Sequence, residues 1–262
     1  MNLNLLGKNA LVCGSSQGIG LASAQELALL GANVVLVARN QQKLEDAVKT
    51  LDKSQNQTHR TLVADFSDAK QLTEALTHSG LNQNPIHILI NNTGGPPAGP
   101  AHRASAEDFL QAFNNHLLCN HALVTYTLEG MKQAQYGRII NIISTSVKQP
   151  LDNLGVSNTI RGAVANWAKT LANELGQFGI TVNNVLPGAT MTSRLEAIIS
   201  KNANDKNKSQ AEVLSEMERE VPVRRVGQAD EIAAAVAFLA TPAAAYINGI
   251  NLPVDGGRTK SL

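Results

Sequence analysis

A chain of 262 residues with 43% hydrophobic and 16% charged side chains can bury a sizeable core and reads as globular and soluble. Its formal net charge of +1 excludes the strong field that would recruit nucleic acid or an anionic membrane, and no apolar run reaches the roughly 18 residues of a membrane span. Two cysteines, Cys13 and Cys119, make no disulfide framework and suit a reducing, cytoplasmic setting, and the first residues carry no basic region leading into a long apolar stretch of a signal peptide.

Taken in chain order, short apolar runs alternate with helix-period segments. The run ALVCG (10–14) leads through CGSSQGIG (13–20) into the helical pattern LASAQELALLG (21–31). A second run, ANVVLVA (32–38), ends at Arg39, and a third, RTLVA (60–64), is followed by Asp65 and Phe66. The fourth, IHILIN (86–91), precedes GGPPAGPA (94–101), whose prolines rule out helix and leave either a rigid wall beside a site or a plain connector. A long helix follows and contains EDFLQAFNNHLLCNHALV (107–124), with Cys119 in its core. The fifth run is GRIINII (137–143). Val156, Ile160, Ala163, Val164, Trp167, Leu171 and Leu175 then recur at helical steps across 156–175, which puts Trp167 on a core face. The sixth run is ITVNNVLP (180–187), and GINLPV (249–254) closes the series.

Nearly unbroken Val, Ile and Leu runs are what strands covered on both faces look like. Their alternation with helices predicts a doubly wound α/β fold: one domain over 1–262, with a Rossmann-type parallel sheet of about seven strands in three layers, α/β/α. One segment departs in composition. KNANDKNKSQ (201–210) reads either as a solvated surface loop or as part of a mobile substrate lid over about 193–220, because it follows a strand end where such sheets bind ligands.

Gly14, Gly18 and Gly20 stand between the first strand and the first helix, where glycines let the backbone turn sharply and approach a pyrophosphate at a helix N-terminus. A dinucleotide is the ligand this pattern predicts. Arg39 ends the second strand where an acid would select NAD, so NADP(H) is preferred and NAD(H) remains open.

These motifs, in this order, resemble the short-chain dehydrogenase/reductase family over nearly the whole chain, and the 3-oxoacyl-thioester reductases within it. The resemblance rests on Gly14–x3–Gly18–x–Gly20, VADFSD (63–68), NNTG (91–94), GRIINIIS (137–144), PGATMT (187–192) and VDGG (254–257). It implies a cofactor site built from Gly14, Ser15, Ser16, Gln17, Gly18, Ile19, Gly20, Arg39, Asp65, Phe66, Asn92, Thr93, Gly94, Arg161, Pro187, Gly188 and Thr192. Asp65 would meet the adenine, and Thr192 the nicotinamide amide. From their chemistry alone Asp65 is equally a helix cap, and Asn91 and Asn92 equally satisfy backbone groups. The resemblance also implies a small carbonyl or alcohol substrate and a homotetramer or homodimer. No Cys/His spacing suggests a metal.

The catalytic positions of the family fall on Ser144, which is retained, and on Ser157 and Arg161, where the family carries Tyr and Lys. A serine hydroxyl is a far weaker acid than a phenol of pKa about 10, and an arginine does not titrate as a relay. The supporting Asn position falls on His116, with Asn115 beside it. His116 is therefore either a proton source acting through water or Ser144, or a structural histidine. None of Tyr126, Tyr136 and Tyr246 stands where it could replace the missing phenol. The expected function is an oxidoreductase of CH–OH groups with an atypical proton donor; the alternative is an NADP(H)-binding sensor or structural subunit with little turnover.

Overall fold

The computed structural model describes residues 1–261. Seven strands form one parallel sheet: β1 (Asn9–Cys13), β2 (Asn33–Ala38), β3 (Arg60–Val63), β4 (Ile88–Asn91), β5 (Gly137–Ile142), β6 (Ile180–Pro187) and β7 (Asn251–Val254). Their order is β3-β2-β1-β4-β5-β6-β7, so the direction of winding reverses between β1 and β4. A crevice opens there beyond the carboxyl ends of the strands, the usual ligand position in such sheets.

The helices are α1 (Gly18–Leu29), α2 (Gln41–Val48), α3 (Ala69–His78), α4 (Ala106–Phe113), α5 (Cys119–Gln133), α6 (Gly155–Leu175), α7 (Ser193–Lys206), α8 (Gln210–Arg219) and α9 (Ala229–Ala240). Side-chain alternation along β1 shows why both sheet faces need cover. Ala10 and Val12 pack with Leu27 of α1, Leu44 of α2 and Val236 of α9. Leu11 and Cys13 pack on the other face with Leu72 of α3, Leu123 of α5 and Ala168 of α6. The strands therefore read as continuous apolar runs rather than as alternating ones. Strand β3 differs: it pairs only with β2, and Arg60, Thr61 and Val63 are exposed at the sheet edge.

Four asparagines bind the other half of the sheet together. Asn91, Asn141, Asn184 and Asn251 face one another in register on β4, β5, β6 and β7. Each side-chain amide donates to the next carbonyl oxygen at 2.8 Å, from Asn91 to Asn141, Asn141 to Asn184 and Asn184 to Asn251. Parallel strands in register stack like residues, so the amides form a hydrogen-bonded ladder inside the core.

The long helix expected over 107–124 is interrupted. Asn114–Leu118 forms a π turn between α4 and α5, which admits one extra residue and re-aims the side chains on it. The expectation of a solvated loop at 201–210 is corrected: α7 runs to Lys206 and α8 starts at Gln210, with only a turn at 207–209. Leu195, Ile199 and Ala203, four residues apart, form a stripe that buries against Val213, and the Asn and Lys residues cover its outer face. Asn207, at φ 52°, ends α7 in the left-handed region that Asn tolerates.

Candidate active site

The glycine turn comes first in the chain and at the centre of the crevice. Gly14 and Gly18 take φ of 58° and 59°. A Cβ on Gly14 would stand 2.5 Å from the Asn92 carbonyl oxygen, and one on Gly20 would stand 2.2 Å from the Gly14 oxygen, so only glycine closes this turn. The cap of α1, Gln17, makes no side-chain cap bond, so the first-turn N–H groups remain available to an anion. Asn92 steadies the turn from the end of β4 by donating to the carbonyls of Cys13 (3.3 Å) and Gly14 (3.2 Å).

A cleft of about 670 Å³ extends from that turn. Gly14, Gln17, Gly18 and Ile19 line one part; Asn92, Thr93 and Gly94, Ser144, Ser157 and Arg161, and Pro187, Gly188 and Thr192 line the rest. Most of the residues singled out in the sequence thus meet in one space. Ser15 does not: it is fully buried and its Oγ accepts from Val37 N at 2.9 Å, tying β1 to β2. Ser16, Gly20, Arg39, Asp65, Phe66 and His116 also stand outside the cleft lining. Arg39 is exposed after β2, and Asp65 accepts from Ser67 N at 2.9 Å. Asp68, not Asp65, caps α3.

Ser144 follows β5, and its Oγ accepts from Ser146 N at 3.1 Å. That bond uses an acceptor lone pair and leaves the hydroxyl proton for a ligand oxygen. Ser157 and Arg161 lie one turn apart on α6, both buried. Arg161 Nη1 donates to the Ile142 carbonyl at 3.2 Å, while its Nε has no partner. Burial, then the charge of Arg194, pulls the Arg161 guanidinium down to about 10, so it remains protonated near neutrality.

His116, rather than Asn115, turns inward from the π turn. It is 2% exposed, and its Nδ1 shares a 2.7 Å hydrogen bond with Thr93 Oγ1. Burial, then Arg161 and Arg194, push the imidazole down to about 3, so it is neutral near pH 7. Tyr136 donates to the Ala240 carbonyl at 2.7 Å, and Tyr246 is fully exposed; neither phenol lines the cleft. Trp167 is half-buried and packs edge-on with His121 at 6.3 Å. Among the described residues no His, Cys, Asp and Glu cluster could hold a metal, and no helix is long and apolar enough to cross a membrane.

Two features escaped sequence reasoning. The asparagine ladder depends on the register of four strands, which no local pattern encodes. Arg194 carried a faint signal: a cation in the first turn of α7 opposes the helix dipole and asks for another reason to be there.

Comparisons with known proteins place the chain among similar sequences and folds. The sequence pattern described as enoyl-(acyl carrier protein) reductase matches residues 14–259. The chain is 34% identical over 257 residues to a 3-oxoacyl-(acyl-carrier-protein) reductase, FabG, of Pseudomonas aeruginosa, covering 97% of this chain and 98% of that protein. It is 31% identical over 260 residues to the NADPH-dependent reductase BacG of Bacillus subtilis, covering 97% and 99%. Among solved structures, L-sorbose reductase from Gluconobacter frateurii, complexed with NADPH and L-sorbose, superimposes with a TM-score of 0.93 at 28% identity and covers 100% of both chains.

Proposed function

The chain belongs to the short-chain dehydrogenase/reductase family, and from that premise we propose that it is an NADP(H)-dependent oxidoreductase of a carbonyl/alcohol pair with an altered proton donor. The observation that carries the reading is the convergence of the glycine turn, Ser144, Ser157, Arg161 and Thr192 on one cleft. The uncapped start of α1 and the close-packed glycines fit a dinucleotide diphosphate, and Arg39 fits a 2′-phosphate. NADP(H), when bound, supplies or accepts the hydride. NAD(H) is a weaker fit, because no carboxylate ends β2.

The chain's own residues do the rest. Ser144 donates its hydroxyl to the substrate oxygen. Arg161 holds the nicotinamide ribose and, as a desolvated fixed charge, stabilises negative charge developing on that oxygen. Ser157 orients a water that relays a proton from bulk solvent to the substrate oxygen, so no hydroxide is left in the cleft. His116 is a positioning residue that reaches the cleft through Thr93 and supports the proton path as a neutral imidazole. Helices α7 and α8 form the substrate lid, contributing Leu195, Ile198, Val213 and Met217 to the cleft. A homodimer or homotetramer and a cytoplasmic setting complete the reading; Leu110, Phe113 and Leu118 are exposed apolar residues that a second copy would cover.

Loss of the Tyr and Lys pair favours one second reading, an NADP(H)-binding protein with little turnover. NADPH oxidation against a panel of 3-oxoacyl thioesters, quinones and small ketones separates the two. Turnover that the Ser157→Ala, Arg161→Ala double variant loses supports the oxidoreductase. NADPH binding without turnover across the panel supports the second reading.

A further inference from the structure

Three guanidiniums line the cleft; Arg258 pairs with Glu220, while Arg161 and Arg194 pair with no carboxylate among the described residues. Arg161 is 7% exposed, uses Nη1 on the Ile142 carbonyl, and leaves Nε without a partner. Arg194 reaches from the first turn of α7 across the loop after β4, where its Nη2 donates to the Pro96 carbonyl at 3.4 Å. Its guanidinium lies so close over Gly95 that a Cβ there would stand 2.5 Å from Nη1. Neither arginine forms an ion pair among the described residues.

The acids of the same cleft are engaged elsewhere or exposed. Glu216 pairs with Lys206 and Lys208, and Glu220 with Arg258. Asp152 lies exposed in the turn before α6. Arg161 and Arg194 also feel each other, since Arg194 is the second cause of the lowered Arg161. Arg161 is withdrawn from water while Arg194 is exposed at the cleft, so the buried guanidinium carries the desolvation cost that an anion would offset and the exposed one is free to meet that anion first. A guanidinium fork matches a carboxylate with two parallel hydrogen bonds.

Building on the oxidoreductase reading, we propose that the substrate is an oxo acid, whose carboxylate is held by Arg194 while its carbonyl group meets Ser144. Arg161 adds charge behind the reacting end. The cofactor's diphosphate is the competing anion, and the uncapped N–H groups of α1 already provide for it. The cleft also accounts for Gly95: a side chain there would displace the Arg194 guanidinium.

The test uses the complex of the full chain with NADPH, titrated with short 2-oxo and 3-oxo acids and with the methyl ester of each. Binding is read by nicotinamide fluorescence and equilibrium dialysis, independently of turnover. At least one acid binds at least about tenfold more tightly than its ester. Arg194→Gln removes that preference while leaving NADPH and ester affinity within about twofold, and Arg194→Lys restores part of it. Thermal unfolding of both variants confirms that they fold. The proposal is overturned if no acid binds, if esters bind as tightly as acids, or if Arg194→Gln weakens NADPH while the acid preference survives. Acid binding that Arg194→Gln abolishes, but without NADPH oxidation, would overturn the oxidoreductase reading and the acid's role as substrate, and would support only the Arg194 carboxylate site.

Discussion

A guanidinium that stays charged cannot pass a proton, so under the proposed oxidoreductase reading Arg161 leaves proton transfer to its neighbours. His116 is the neighbour that titrates most readily in general, yet here burial, then Arg161 and Arg194, keep it neutral while it bonds Thr93. If it supports the proton path, His116→Gln lowers turnover by about tenfold or more and changes the pH–rate profile, with substrate affinity little altered. Unchanged turnover and an unchanged profile would assign His116 to the core alone. At this scale the site was legible wherever a residue type is tied to a motif, as for Gly14, Ser144 and Thr192. It was not legible for Thr93 and His116 as a pair, because the 2.7 Å bond between them joins the end of β4 to a π turn.

Strands announced themselves because their two faces are both buried, as the split of Ala10 and Val12 from Leu11 and Cys13 shows. RTLVA carried the same apolar signature and proved to be an exposed edge, since nothing in five residues says which strand lies last. The stretch 201–210 was hidden for the opposite reason: its composition is polar, while the stripe that makes it helical begins at Leu195. The asparagine ladder is the element with the sharpest energetic consequence. Asn141→Ala leaves the Asn91 amide and the Asn184 carbonyl oxygen buried without their partners. Each orphan costs about 1–3 kcal/mol, so the loss is roughly 2–6 kcal/mol in urea unfolding. Asn251→Ala, at the half-buried end of the ladder, orphans one group and costs roughly half as much. Equal losses at the two positions would show that the amides do not act as a connected row.

For the whole molecule, pH sensitivity follows from imidazoles kept neutral. His87 accepts from Asn9 N through Nδ1 at 3.1 Å, and burial, then Lys8, pushes it down to about 4. His116 is held near 3, and burial lowers His59 as well. Such groups protonate in the unfolded chain at a pKa of about 6.5 but not in the fold, so they favour folding fully above that pH and withdraw the support as pH falls toward the folded value. Between pH 6.5 and 5 the loss is up to roughly 2 kcal/mol for each of His87 and His116. The urea midpoint therefore drops across this window, and His87→Gln or His116→Gln flattens the drop. A midpoint that stays level from pH 7 to 5 would mean that these imidazoles protonate inside the fold.

Cys13 and Cys119 sit on the same packed face of the sheet, both fully buried, with the Cys119 thiol donating to the Phe66 carbonyl at 3.2 Å. Burial raises both thiols far from the thiolate form that reacts with electrophiles. An alkylating reagent added to the native protein therefore finds them only when the central layer parts. Their modification rate becomes a clock for that opening, set by the stability of the sheet and not by the chemistry of sulfur.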